Sequence, residues 1–426
     1  MSLLIIKINN LEGEKLKVVI IGNSASGLAA AKAFRKYDKD SELTIISKEA
    51  GPAYSRVLLP YVLRKKVEYN NIFIREEKYY AENNIKYIED EVIAIDIEEK
   101  SLTLSKDNKV GYDKLLIATG SYAVAPPIEG LKSQGVYHMW TKADLDKLIP
   151  LFNTKKSVAV LGSGFVALQA AWAAKYRGLD VNVIEIAERV MPSVLDIEGA
   201  RLITEKIKDS GVKLHTKTVT ERIEKLEDGS FIIHLKDKEA VKADFIIVGT
   251  GVRSNIQFIE GTAIEHDRAI LVDEYMQTNI EGIYSAGDVA AGPTTFGDEH
   301  LTHALWPTAV EMGEVAGANM AGKSIRYRGS LNMNVTQMYH VTVASMGLFN
   351  DDHIDKSYVF DMDKYKGYIK ICFKNDFIVG ACLVGESESV KLFGKLRTII
   401  RKGIKADCEP EKLENFLDIK IFRDRV

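Results

Sequence analysis

Two short glycine-rich runs carry the residues whose chemistry is clearest. In Gly162-Ser-Gly164-Phe165-Val166-Ala167, the first glycine suits a tight turn and the second lets backbone approach a ligand. The small Ala167 lets a helix pack on a strand. Gly22-Asn-Ser24-Ala-Ser26-Gly27 repeats the pattern nearer the start, with serine at its middle position. Backbone N–H groups at such a turn, aimed by the helix that follows, bind a pyrophosphate. Glu185, beyond the later run, has the charge and the position to accept from a ribose diol. Two such runs in one chain read as two separate dinucleotide sites.

Each run lies in a strand–turn–helix–strand unit that positions it. Leu16 to Ile21 is an apolar strand, Leu28 to Phe34 a helical pattern, and Leu43 to Ile46 the next strand. Val158 to Leu161, Leu168 to Ala174 and Val181 to Ile184 repeat that order. Between the units, Tyr112 to Gly120 is a strand ending in the small-residue turn Ala118-Thr119-Gly120. Pro126, Pro127 and Gly130 then mark a crossover, and the parallel phrase Ala243 to Gly251 marks the return. Gly282 to Gly287 and Asp288 supply strand, glycine and acid. From Ser324 onward the fingerprints stop. Tyr368 to Phe373 and Phe377 to Leu383 read as an antiparallel hairpin, with Cys372 opposite residue 379 and Cys382 opposite residue 369. The expected fold is α/β. It has two Rossmann-like dinucleotide-binding domains, 15–125 with 247–323 and 126–246, and a C-terminal α+β domain, 324–426.

Composition narrows the function classes. The chain has 426 residues, with Lys plus Arg 57 against Asp plus Glu 60, a formal net charge of −3. That near-neutral balance argues against nucleic acid or an anionic membrane as the main partner. No apolar run approaches the ~20 residues of a transmembrane helix. The first residues lack the basic n-region and cleavage site of a secretory signal. Three cysteines cannot build a disulfide scaffold, and they suit a reducing, cytoplasmic setting.

With these landmarks on the page, the chain resembles the FAD-dependent pyridine nucleotide oxidoreductases that carry two dinucleotide-binding domains. The resemblance implies FAD at Gly22, Ser24, Ser26 and Gly27, at Ala118, Thr119 and Gly120, at Gly251, and at Gly287 and Asp288, where Asp288 meets the ribityl chain. It implies NADH at Gly162, Gly164, Phe165 and Val166, with Glu185 on the ribose. NADPH is less favoured, because the nearest arginine is Arg189. The second strand of the first unit ends at Ser47, so Glu49 is the expected FAD ribose ligand. Gln169 stands where many relatives place a glutamate beside the nicotinamide; an amide orients the ring but cannot act as a base. Pro307 opens a helix whose N-terminus faces the flavin pyrimidine, with Leu305 and Trp306 over that edge.

Within that family, disulfide reductases carry two cysteines after the second strand and their coenzyme A-dependent relatives carry one. Here Ser47 to Lys65 has none, and the single-cysteine position is Val57, which cannot form a thiolate. Ala53-Tyr54-Ser-Arg56-Val57 looks most like the rubredoxin reductase and nitrite reductase flavoprotein branch, which puts Arg56 along the FAD. No catalytic residue beyond the flavin is expected; Gln169 and Trp306 are the ring-edge candidates. His300 and His303 share one helical face but lack a third ligand, so no metal is expected. Cys372, Cys382 and Cys408 are the only sulfur candidates, and basic Lys391 to Lys402 is a solvated helix face or a dock for an acidic protein.

The leading expectation is an FAD-dependent NADH oxidoreductase passing electrons to a small rubredoxin- or ferredoxin-type protein or to a partner reductase. The alternatives are an NADH oxidase or peroxidase, a coenzyme A disulfide reductase, or a non-enzymatic NADH-responsive flavoprotein of the apoptosis-inducing-factor type. A homodimer, if formed, is expected to pair through the C-terminal domain.

Overall fold

The computed structural model describes residues 15–297, 299–350, 352, 354–360, 367–386, 390–406 and 410–417. The leading segment and Cys408 lie outside the described residues. Two five-stranded parallel sheets carry the two glycine turns. The first runs Ile283–Ser285, Lys114–Ile117, Lys17–Ile21, Glu42–Ser47, Ile85–Glu89. The second runs Lys213–His215, Asp180–Ile184, Ser157–Leu161, Phe245–Val248, Val136–Tyr137. The central strands Lys17–Ile21, Lys114–Ile117, Ser157–Leu161 and Phe245–Val248 are mostly Val, Ile and Leu and are buried on both faces over most of their length.

The centre strand of each sheet ends at its glycine turn, Gly22 with φ +119° and Gly162 with φ +100°. Both are left-handed conformations that favour glycine. A Cβ on Gly22 would lie 2.1 Å from the Ala118 carbonyl oxygen, and one on Gly162 would lie 2.5 Å from that of Gly249. The two phrases that look alike in sequence, Ala118 to Gly120 and Gly249 to Gly251, are therefore the neighbouring strand ends against which each turn is pressed.

Helix Ala25–Tyr37 follows the first turn and helix Phe165–Tyr176 the second. Helix Trp306–Met320 lies so close on Ala25–Tyr37 that a Cβ on Gly313 would sit 2.2 Å from the Ser26 carbonyl oxygen. It begins at Trp306, one residue before the expected Pro307, which serves as well in the first turn. His300 and His303 do not share a helix: His300 lies on the short strand His300–Leu301, paired to Gly292 and Pro293.

The C-terminal sheet is antiparallel, in the order Met333–Met338, Val341–Gly347, Phe377–Gly385, Gly367–Lys374, Lys356–Phe360. Asn375 and Asp376 turn the hairpin with φ of 52° and 64°, the type I′ geometry that matches strand twist. A bulge at Cys372/Phe373 shifts the expected register by one. Cys372 stands opposite Gly380, and Cys382 opposite Lys370. The extra residue, Val379, has no counterpart in the facing strand, and turn chemistry alone gives no sign of it. Both cysteines are fully buried, in the core shared with Ala200 and Ile203 of helix Ile197–Asp209.

Two polar clusters tie this domain to the rest. Asp196 accepts from the Tyr368 hydroxyl at 2.5 Å and lies 3.4 Å from Lys370 Nζ. Glu311 accepts from Arg397 and, at 2.7 Å, from Arg401 on helix Val390–Lys402. Those two arginines of the basic stretch thus face inward, toward a carboxylate on helix Trp306–Met320.

Candidate functional site

One cavity of about 910 Å³ joins the first glycine turn to the second sheet's helix and the C-terminal strand. That volume lies in the range of ligand and cofactor sites. At one end it is lined by Gly22, Ser24, Ser26, Ser47 and Glu49, in the middle by Arg56, Ala118, Thr119, Gly120 and Asp288. At the other end stand Phe165, Val166, Gln169, Leu305 and Trp306. Residues chosen from widely separated stretches of sequence therefore share one wall.

Gly27 and Gly287 stand just behind that wall. A Cβ on Gly27 would lie 2.0 Å from the Gly22 carbonyl oxygen, and one on Gly287 would lie 2.7 Å from Ser26 Oγ. These two glycines keep the turn, the helix and the Asp288 loop in contact. Gly162, Gly164, Glu185 and Gly251 are not in the cavity lining; the first three form a second cradle at the end of the other sheet. There Glu185 is buried, accepting from Ser163 Oγ at 2.6 Å and from the Ala187 backbone N–H at 2.7 Å. Those two donors fix the carboxylate at the strand end. Arg189 turns back on its own loop, donating to the Pro192 carbonyl at 3.3 Å.

A chain of hydrogen bonds holds the polar groups in the middle. Arg56 pairs with Glu49 and donates to the Trp140 carbonyl at 2.8 Å. Glu49 also accepts from the Tyr54 hydroxyl, so its carboxylate already serves two partners of its own chain. Trp140 Nε1 donates to the Ser121 carbonyl at 2.8 Å, and Ser121 Oγ donates to Asp288 Oδ2 at 2.8 Å. Burial pushes the Asp288 carboxyl up from the usual carboxylate range; Ser121 and the nearby Arg56 charge partly oppose the rise. A desolvated carboxylate facing a cavity calls for hydrogen-bond donors from a ligand.

Val57 lines the cavity and is 55% exposed, and no cysteine is among the lining residues. His303 stands apart, its Nδ1 on Ser330 Oγ at 2.7 Å, and burial lowers its pKa. Burial also raises the Cys382 thiol well above its ordinary value, which leaves it protonated and unreactive. Among the described residues, no group of three or more His, Cys, Asp or Glu could hold a metal, and no helix is long and apolar enough to cross a membrane.

Several lining residues have no local signal in the sequence. Trp140, Asn255 and Thr336 reach the site through partners far away in the chain. Asn255 Nδ2 donates to the Thr119 carbonyl at 2.9 Å, and Thr119 Oγ1 returns a bond to the Asn255 carbonyl at 2.9 Å. Only their contacts give them roles.

The family described as pyridine nucleotide-disulphide oxidoreductase matches residues 16–313, and the rubredoxin NAD+ reductase C-terminal domain matches residues 333–404. The chain is 33% identical to an NADH oxidase of Methanocaldococcus jannaschii, over 78% of this chain and 76% of that protein. It is 31% identical to a nitrite reductase [NAD(P)H] of Bacillus subtilis over 90% of this chain. It spans about half of that relative's length, 47%. The crystal structure of an NADH:rubredoxin oxidoreductase from Clostridium acetobutylicum superposes with a TM-score of 0.76 at 26% identity, covering 95% of this chain and 100% of that one.

Proposed function

The chain belongs to the pyridine nucleotide-disulphide oxidoreductase family, and from that premise we propose an FAD-dependent NADH oxidoreductase that passes electrons to a small redox protein of rubredoxin or ferredoxin type, or to a partner reductase. One observation carries the reading. A single cavity runs from the first glycine turn, past Asp288, to Phe165 and Gln169, with valine where cysteine-dependent relatives need sulfur.

The residues present fit an FAD. The first turn lacks any side chain at Gly22, the Asp288 carboxyl faces the cavity, and Arg56 supplies a guanidinium along its wall. Helix Trp306–Met320 starts at the cavity, so its N-terminal dipole favours negative charge there, an effect of roughly 0.3–2 kcal/mol. An FAD held by these residues would supply the hydride and electron-transfer chemistry. The protein's own part is to bind and orient. Asp288 would accept hydrogen bonds from ligand hydroxyls, Glu185 would meet the second nucleotide's ribose, and Phe165, Val166, Leu305 and Trp306 would cover the reacting end.

No ionisable side chain lies among Phe165, Val166, Gln169, Leu305, Trp306 and Val57. The ionisable residues of the cavity, among them Tyr54, Arg56, Tyr61 and Asp288, lie outside that group, and the reading as an electron-transfer enzyme rests on the missing cysteine rather than on a missing proton donor. NADH-driven reduction of purified rubredoxin, compared with hydrogen peroxide and coenzyme A disulfide, tests the reading; rubredoxin is expected to turn over fastest. Faster turnover of peroxide or disulfide contradicts it. The identity to an NADH oxidase favours oxygen as a second reading, and oxygen uptake that outpaces rubredoxin reduction would select it.

A further inference from the structure

We propose that Arg397 and Arg401 of the C-terminal domain, held on Glu311 behind the cavity wall, make a flavin bound in the cavity easier to reduce. The inference rests on the reading of FAD in that cavity and names residues outside it that set its potential.

Helix Trp306–Met320 opens on the cavity, which its Trp306, Pro307 and Ala309 line. Glu311 follows Pro307 by one turn, about 6 Å further along the axis. Its carboxylate accepts from Arg397 and meets both prongs of the Arg401 guanidinium, at 3.2 Å and 2.7 Å. Such a forked pair fixes the arginine's direction as well as its distance. Two guanidinium groups on one carboxylate leave a surplus of one positive charge. Alone, Glu311 would put negative charge behind the helix start and oppose the dipole there. The two arginines reverse that sign.

Only a thin wall separates this cluster from the cavity. Leu305, Pro307 and Met333 line the cavity on one side. On the other they line a gap of about 10 Å³ together with Glu311, Arg397 and Arg401. That gap is at the limit of what one water needs, so little solvent screens the charges from the wall. The three wall residues are apolar and carry no countercharge. Reduction of a bound flavin adds negative charge, and a fixed positive charge nearby favours it. The C-terminal domain thereby acts on the redox step without touching the flavin.

The test is the two-electron midpoint potential of the FAD-loaded protein, read by anaerobic equilibration with a reference dye. A unit charge roughly 10–15 Å away at an effective dielectric of about 20, halved for partial exposure, shifts the reduction equilibrium roughly threefold. Glu311→Gln should therefore favour reduced flavin by roughly threefold, a rise of about 14 mV. The double variant Arg397→Gln/Arg401→Gln should disfavour it by roughly ninefold, a fall of about 28 mV. Arg397→Lys/Arg401→Lys, which keeps both charges, should restore the wild-type potential. All the glutamine variants break the same ion pairs, so loosened packing would move their potentials in one direction; opposite directions are the signature of charge. Should Glu311→Gln lose its flavin, the arginine variants decide alone. An unchanged potential in the double glutamine variant, or shifts of the same sign on removing Glu311 and the arginines, overturns the inference while FAD in the cavity stands. Wild-type protein that takes up no FAD at all overturns that reading and the inference with it.

Discussion

Gly164→Ala should separate folding from nucleotide binding at the second glycine turn. Gly164 caps helix Phe165–Tyr176 with φ −73°, and a Cβ built on it meets nothing within 4 Å. Neither backbone strain nor a protein clash opposes alanine there. Alanine is a poorer cap than glycine by up to about 1 kcal/mol, and stiffening of the unfolded chain returns about 0.4–1 kcal/mol. Stability should therefore change by less than about 1 kcal/mol, a shift in Tm of roughly 2–4 °C at most for a chain this long. The empty space is where a pyrophosphate would approach the helix N–H groups. A methyl inserted there should loosen at least one charge-assisted hydrogen bond, about 1.5–3 kcal/mol, or roughly 10–150-fold in Kd. Ser24 carries a side chain at the matching position of the first turn, but its φ of −125° directs the Cβ differently. Gly162→Ala is the contrast: at φ +100° and 2.5 Å from the Gly249 carbonyl oxygen, its Cβ should impair folding itself. Calorimetric NAD+ binding, Tm and flavin absorbance give the readouts. A Gly164→Ala protein that binds NAD+ within twofold of wild type, or that loses more than about 8 °C in Tm, would refute the reasoning.

Three further outcomes follow from the geometry. The buried Asp288 carboxyl has a raised folded pKa, so the stability it confers on FAD-free protein is present below the unfolded value of about 4 and is lost as pH rises through the folded pKa. FAD-free Asp288→Asn should therefore melt above wild type at pH 7 and converge with it near pH 4, yet retain FAD roughly tenfold more weakly; identical melting at both pH values counts against this. Removing both buried thiols in Cys372→Ala/Cys382→Ala should lower stability by about 1–3 kcal/mol through cavity formation and leave NADH-driven turnover within twofold. A tenfold loss of turnover at full flavin content would instead reveal sulfur chemistry. Glu311→Gln leaves Arg397 and Arg401 without their carboxylate and should lower stability by about 1–3 kcal/mol. The gap should narrow in high salt, as a melting series in sodium chloride would show.

The parts of the site that the sequence made legible are those built from neighbouring residues. A glycine turn announces itself because positive φ and close approach demand small residues at fixed spacing, as at Gly22 and Gly162. Asp288 was legible for a similar reason, as an acid directly after a strand and a glycine. What stayed hidden depends on contacts between distant stretches. Gln169 meets Thr336 across 167 positions, and Trp140 reaches Arg56 across 84. The placement of Glu49 between Tyr54 and Arg56 was hidden too, because side-chain direction decides it and spacing does not. The hairpin register slipped by one because a bulge adds a residue without changing the turn sequence. The inward direction of Arg397 and Arg401 depends on Glu311, which belongs to another domain.

Whether a flavin is the sole redox centre is tested most directly by anaerobic titration of the purified protein with NADH, followed by visible absorbance. Bleaching of the flavin band with roughly one equivalent of NADH per FAD is the expected result. Uptake of about two equivalents, or a long-wavelength thiolate–flavin charge-transfer band, would contradict it.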